Sequence, residues 1–274
     1  MTSPSKPRTF RLYHAARGPS LSAASALGLV LAAIATLVVV GQLALIAGAP
    51  LYAAMVAAQL AMLALALLVL RLTGLPPRGF GIALAPARFV AAGILIGLSA
   101  WYLNLVLVDA LVTVEREQVE PLQQLVERPP LALAVLAIAL APAVCEETLF
   151  RGALLRGLAS RLHPGVALLV TAAMFSLYHF KPVQMLPTFT LGLILGVLSL
   201  RAGSILPSTI AHFLNNTMAI IVYRQESHPL SLALTEHPHW ALAGFGALFA
   251  IGTTVAIATP LAPLAPASEG PGAP

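Results

Sequence analysis

Long apolar runs broken by short polar or proline-containing stretches dominate the chain. Eight runs stand out, at 21–48, 51–70, 89–112, 130–150, 165–180, 185–200, 204–223 and 239–259. Each is continuous rather than alternating, which predicts helices, and about 20 apolar residues suffice for one bilayer crossing. A membrane β-barrel would alternate lipid-facing with inward-facing positions, and this chain does not. The fifth and sixth runs are short for full crossings, so one of them is expected to be partial or tilted. Breakers fall at Ala49-Pro50, Pro76-Pro77, Pro129-Pro130, His163-Pro164, Arg201-Ala202-Gly203 and His237-Pro238. No internal repeat is visible. The expected fold is all-α, a polytopic transmembrane helical bundle of about eight spans. It divides into an N-terminal segment (1–20), the first spans with an acid-rich loop (21–128), a core (129–223), a last span (224–259) and a Pro/Ala/Gly-rich tail (260–274) expected to be disordered.

Composition sharpens this picture. The chain is 59% hydrophobic and only 9% charged, with a mean hydropathy of +0.91. A soluble domain of this size does not keep so little charge. The first run is too long for a cleaved signal peptide and is expected to anchor the chain. A net charge of +5 does not imply a nucleic-acid partner, because the basic residues sit at segment ends rather than in a stripe. Lys6, Arg8, Arg11 and Arg17 precede the first run; Arg71, Arg78 and Arg88 follow the second; Arg156 and Arg161 follow the fourth, and Arg201 the sixth. With eight crossings these lie on one side, predicting that both termini are cytoplasmic. The loop "TVEREQVEPLQQLVERP" at 113–129 falls on the other side. It is either a solvated connector or a short amphipathic helix carrying Leu122, Leu125 and Val126. Arg outnumbers Lys thirteen to two and Ala is abundant, which points to a bacterial source and hence an inner (plasma) membrane. Trp101, Tyr102 and Trp240 are expected to anchor at the interface or to pack. The lone cysteine, Cys145, allows no internal disulfide and is expected to be a packing residue.

Against this background, three polar groups inside the runs need an explanation, since a charged residue at mid-bilayer costs about 2.5–3.5 kcal/mol on insertion scales. In "EETLFR", Glu147 and Arg151 are spaced i,i+4 and can pair on one helix face, while Glu146 points about 100° away, free to act elsewhere. In "FSLYH", Phe175 and His179 share a face; in "HFLNN", His212 and Asn216 do so, with Asn215 a packing or capping residue. If the fourth and fifth spans form a hairpin turning at His163-Pro164, Glu146 lies about 17 residues before the turn and His179 about 15 after it. At 1.5 Å per residue the two are at similar height. With Arg156 and Arg161 beyond the lipid, Glu146 would lie about 15 Å deep, and His212 about 13 Å in from the same face. The groups can therefore line one polar cavity.

A buried carboxylate beside an imidazole can take a proton from water, and a second imidazole with an amide can stabilise an oxyanion. That is a peptide-hydrolysing set needing neither Ser nor Cys as nucleophile. Glu146, His179 and His212 also make a His₂Glu set suited to catalytic zinc, though without the H-E-x-x-H spacing. Metal-free and zinc-dependent sites both stay open. So do a non-catalytic partner-binding role and, less favoured for want of repeated halves, a small transporter.

The order EExxxR, FxxxH, HxxxN on successive helices resembles the CPBP family of intramembrane proteases, the CAAX-prenyl-protease and bacteriocin-processing (Abi) type. Here the three motifs read Glu146–Arg151, Phe175–His179 and His212–Asn216, within about 130–222. The resemblance implies a bundle of eight helices in the eukaryotic members. It implies water activated by Glu146 and His179, an oxyanion held by His212 and Asn216, and support from Glu147 and Arg151. It also implies, as partner, a peptide or protein substrate with a membrane-proximal C-terminal or leader segment. In bacterial members bacteriocin immunity is a known alternative.

Overall fold

A computed structural model describes residues 19–112, 125–127, 129–224, 234 and 236–258. The N-terminal segment, most of the acid-rich loop and the C-terminal tail lie outside the described residues, as do the expectations made for them. The described chain is helical throughout. We number its long helices α1 (Ala23–Ile46), α2 (Leu51–Leu72), α3 (Ala87–Leu111), α4 (Leu131–Ala159), α5 (Pro164–Leu177), α6 (Pro182–Ala202), α7 (Leu206–Arg224) and α8 (Pro238–Ala258). A 3₁₀ turn at Pro77–Phe80 links α2 and α3.

Each apolar run thus becomes a helix, but the count of eight crossings does not follow. Six of the helices are long and apolar enough to cross a membrane. The exceptions are α5, with 14 residues, and α7, whose 19 residues include Ser208, Thr209, His212, Asn215, Asn216 and Thr217. Helix α6 is longer than its run suggested. Pro182 sits in its first turn, where a missing N–H costs nothing, and Pro187 is accommodated inside it. Helix α4 overruns the expected end at 150 and continues to Ala159.

Two devices position α4 and α7. Helix α4 is not uniform: Val135–Leu140 and Glu147–Leu154 are π-helical. Such widened turns shift side-chain direction and concentrate at functional sites. On α3, Gly93 and Gly97 press against α7; a Cβ on Gly97 would stand 2.6 Å from the Ala211 carbonyl oxygen. This small-xxx-small contact brings α7 close enough to place His212, the next residue, in the core.

Apolar cores flank the polar centre. One gathers Leu29, Met62, Phe80, Leu149, Phe150, Leu154 and Phe175 between α1, α2, α4 and α5. The other gathers Phe89, Ile96, Leu195, Leu198 and Ala256 between α3, α6 and α8. Cys145 is buried in the first core, as a packing residue should be. Trp101 and Tyr102 are buried and pack edge-on or tilted against Phe245, whereas Trp240 is exposed. Two cations counted as loop charges are in fact buried. Arg156 lies against Gly81 of the α2–α3 turn, and Arg201 donates to the carbonyls of Ala256 and Ile257 at the end of α8.

Candidate active site

The local sequence of α4 sets the site. Glu147 opens the second π-helical stretch and Arg151 lies one turn on, so the i,i+4 pair expected from spacing forms: Arg151 Nη1 donates to Glu147 Oε1 at 2.6 Å. Both side chains are fully buried. Arg151 also donates through Nη2 to the Gly192 carbonyl of α6 at 3.2 Å, and its guanidinium lies 4.3 Å from the Phe175 ring centroid. The pair is neutral as a unit, and this explains why α4 can continue past two acids and an arginine without leaving the protein interior.

His212 of α7 joins the same acid. Its Nδ1 lies 3.1 Å from Glu147 Oε1, leaving Nε2 as the outward nitrogen. Ser208, one turn earlier, also faces Glu147. The Phe175 ring packs edge-on against the His179 ring at 5.0 Å and the His212 ring at 5.9 Å. Arg151, His179 and His212, one from each motif, therefore meet around a single aromatic ring.

His179 lies just beyond α5, which ends at Leu177, rather than on the helix itself. The helical i,i+4 relation survives in its side chain, whose Nδ1 is 2.9 Å from the Phe175 carbonyl oxygen. A carbonyl only accepts, so Nδ1 carries a proton, and in the neutral ring Nε2 has a free lone pair. The next residue, Phe180, takes φ = 53°, a left-handed conformation that helix exits normally give to glycine. His179 and Asn216 are half-exposed, in contrast to the buried Glu146, Glu147, Arg151 and His212, and mark the accessible side of the cluster.

Glu146 is surrounded differently from its neighbour. It is buried, and Oε1 accepts from Gln59 Nε2 of α2 at 2.9 Å. The same amide nitrogen reaches the Tyr178 hydroxyl at 3.4 Å. Glu146 Oε2 is buried without a hydrogen-bond partner in the protein. Sequence reasoning passed over Gln59, although it is the only strongly polar side chain between Ala53 and Leu70 of α2. That isolation was the available signal.

Asn216 Nδ2 donates to the Ile138 carbonyl at 2.9 Å, and Asn215 Nδ2 donates to Asn216 Oδ1 at 3.1 Å. Four residues after Ile138 comes Pro142, which has no N–H to offer that carbonyl. The Asn216 amide supplies the missing donor from α7.

By donor type, Glu146, His179 and His212 would suit zinc. Among the described residues, however, no group of three or more His, Cys, Asp or Glu stands close enough together to hold a metal ion. The ring nitrogen His212 turns inward is committed to Glu147, and that of His179 to a backbone carbonyl. As placed, these residues do not fit a metal ion.

Residues 128–218 match the family model described as type II CAAX prenyl endopeptidase Rce1-like. That stretch carries all three motifs and runs from just before α4 into α7; α1, α2, α3 and α8 lie outside it. The match bears out the CPBP resemblance for that stretch and supports a membrane protease of the CAAX type in general. Neither the curated proteins nor the solved structures hold a match to the chain.

Proposed function

We propose that this CPBP-family membrane protein is an intramembrane endopeptidase that hydrolyses a peptide bond with a water activated by Glu146 and His179. The observation that carries this reading is the gathering of Arg151, His179 and His212 around Phe175, with a second acid, Glu146, buried alongside.

In this mechanism Glu146 Oε2 takes a proton from the water as its oxygen attacks the scissile carbonyl carbon. His179 Nε2, with its lone pair free, accepts the water's other hydrogen bond and holds it in line. The carbonyl oxygen becomes an oxyanion. It accepts hydrogen bonds from His212 Nε2–H and from the second Asn216 amide hydrogen. For that, His212 acts as the imidazolium, its Nδ1–H held by Glu147. When the C–N bond breaks, the proton on Glu146 passes to the leaving amine, so the carboxylate is restored and the products are an acid and an amine. Glu147 and Arg151 hold the histidine in place without touching substrate. The substrate is a peptide or protein whose C-terminal or leader segment comes close to the membrane, reached from the side where His179 and Asn216 are half-exposed.

The test compares protein termini in cells making the wild-type protein with termini in cells making Glu146→Ala or His179→Ala. Both variants should insert and fold, and the termini produced by the wild type should disappear. Undiminished cleavage by Glu146→Ala would falsify the reading. Glu146→Gln separates the protease from a non-catalytic partner-binding protein: a binder keeps its cellular effect when an amide of equal volume replaces the acid, and a protease loses it.

A further inference from the structure

Helix α2 is apolar from Ala53 to Leu70 except at Gln59. An amide in the middle of a spanning helix is unfavourable unless it finds a partner on a neighbouring helix. Gln59 finds two. It is buried, and Nε2 donates to Glu146 Oε1 of α4 at 2.9 Å and approaches the Tyr178 hydroxyl, beside His179, at 3.4 Å. A carboxylate cannot donate, so the nitrogen of Gln59 must be the atom facing Glu146.

We propose that Gln59 is a positioning residue for the peptidase: it ties down Oε1 of Glu146 and so fixes Oε2 as the oxygen that takes the proton from water. The assignment rests on the endopeptidase reading above. It follows from the asymmetry of the carboxylate. One oxygen is held by the amide, and the other is buried and without a partner in the protein. The Gln59 carbonyl oxygen is likewise buried and unpartnered. An open acceptor on the carboxylate is what one hydrogen of a water requires, and His179 Nε2 takes the other. Because Gln59 also reaches Tyr178, it links the turn that carries His179 to the helix that carries Glu146. The amide comes from α2, outside the 128–218 match, so the Rce1-like stretch is completed by a residue it does not contain.

Two measurements test this. The first needs no substrate. Unfolding midpoints are compared for the wild type, Gln59→Leu, Glu146→Leu and the double variant in lipid nanodiscs. Gln59→Leu should lower the midpoint by several degrees in the wild type and by less than about 1 °C on the Glu146→Leu background. Equal shifts on both backgrounds overturn the proposal, whatever the activity. The second uses a fluorogenic farnesylated peptide with three residues after the prenylated cysteine. Gln59→Leu should lose about ten- to a hundredfold in kcat with KM within about threefold of wild type, because small misplacements of a catalytic group are costly. Gln59→His, which can present Nε2–H at a similar reach, should recover most of the loss. Unchanged kcat in Gln59→Leu, or no recovery in Gln59→His, also overturns it. If the wild type cleaves no such peptide while the stability coupling stands, this choice of substrate fails and the contact does not.

Discussion

Glu146 and Glu147 are consecutive on α4, and the protein encloses them in opposite ways. On the Glu147 side, Arg151, His212 and Ser208 converge, and the carboxylate lies in an ion pair with no exposure to solvent. On the Glu146 side the partners are neutral: the Gln59 amide donates to Oε1 and the Tyr178 hydroxyl lies beside the acid. Oε2 of each acid is left without a hydrogen bond, so the contrast lies in the charge of the partners. A buried acid with full charge compensation is hard to perturb and suited to holding other groups. One held by neutral groups alone is not committed to an ion pair and is available for chemistry. The π-helical register of α4 turns the second acid toward α7 and leaves the first toward α2.

The largest effect that could break this contrast is on stability. Arg151→Leu leaves Glu147 charged, buried and unpaired on its helix, and removes the guanidinium from the face of Phe175; a loss of about 3–5 kcal/mol is expected. Glu146→Gln should cost less than about 1 kcal/mol, since the amide can still accept from Gln59. Reversible unfolding in mixed micelles measures both. Comparable losses would mean that the two acids are embedded alike, and the contrast would disappear.

A smaller effect sharpens it on the α7 side. Asn216→Leu removes the donor to the Ile138 carbonyl and should destabilise by about 1–3 kcal/mol, the range for a buried acceptor left alone. Adding Pro142→Ala restores a backbone N–H four residues on and should return part of that loss. If Pro142→Ala lowers the stability of Asn216→Leu further, the carbonyl was never in need of a donor. The same amide then holds α4 at its first π-helical stretch and faces the accessible side with its remaining hydrogen.

These contacts differ in how visible they are in the residues alone. Helix positions were legible because unbroken apolar runs between Pro and Gly leave few other structures open to a chain in lipid. Helix ends were less so. The apolar run of α4 stops at 150, and Arg156 beyond it reads as a charge outside the lipid, yet the helix continues to Ala159 and Arg156 is buried against Gly81. The Glu147–Arg151 pair was legible because both members lie on one helix at a fixed spacing. Gln59 was not, because its partner is 87 positions away and nothing within α2 repeats it. Asn216 could be picked out as a site residue, but its bond to Ile138 depends on how α7 meets α4, which spacing within α7 does not encode. Local pairs can be read from spacing; contacts between helices needed the fold, and the lone amide in an apolar span was the clue that went unused.

The smallest expected effect concerns the turn that presents His179 to the Glu146 side. Phe180 holds φ = 53° directly after it, a conformation that strains any residue with a Cβ by about 1–2 kcal/mol. Its side chain is 67% exposed, so truncation removes little packing. Phe180→Gly and Phe180→Ala should therefore lose the same ring, but only glycine relieves the backbone, and the glycine variant should be the more stable by about 1 kcal/mol. Unfolding midpoints of the two variants, taken side by side, measure the difference. The reverse order would mean that the turn carries no strain, so that His179 is fixed by its bond to the Phe175 carbonyl alone rather than by the path of the chain behind it.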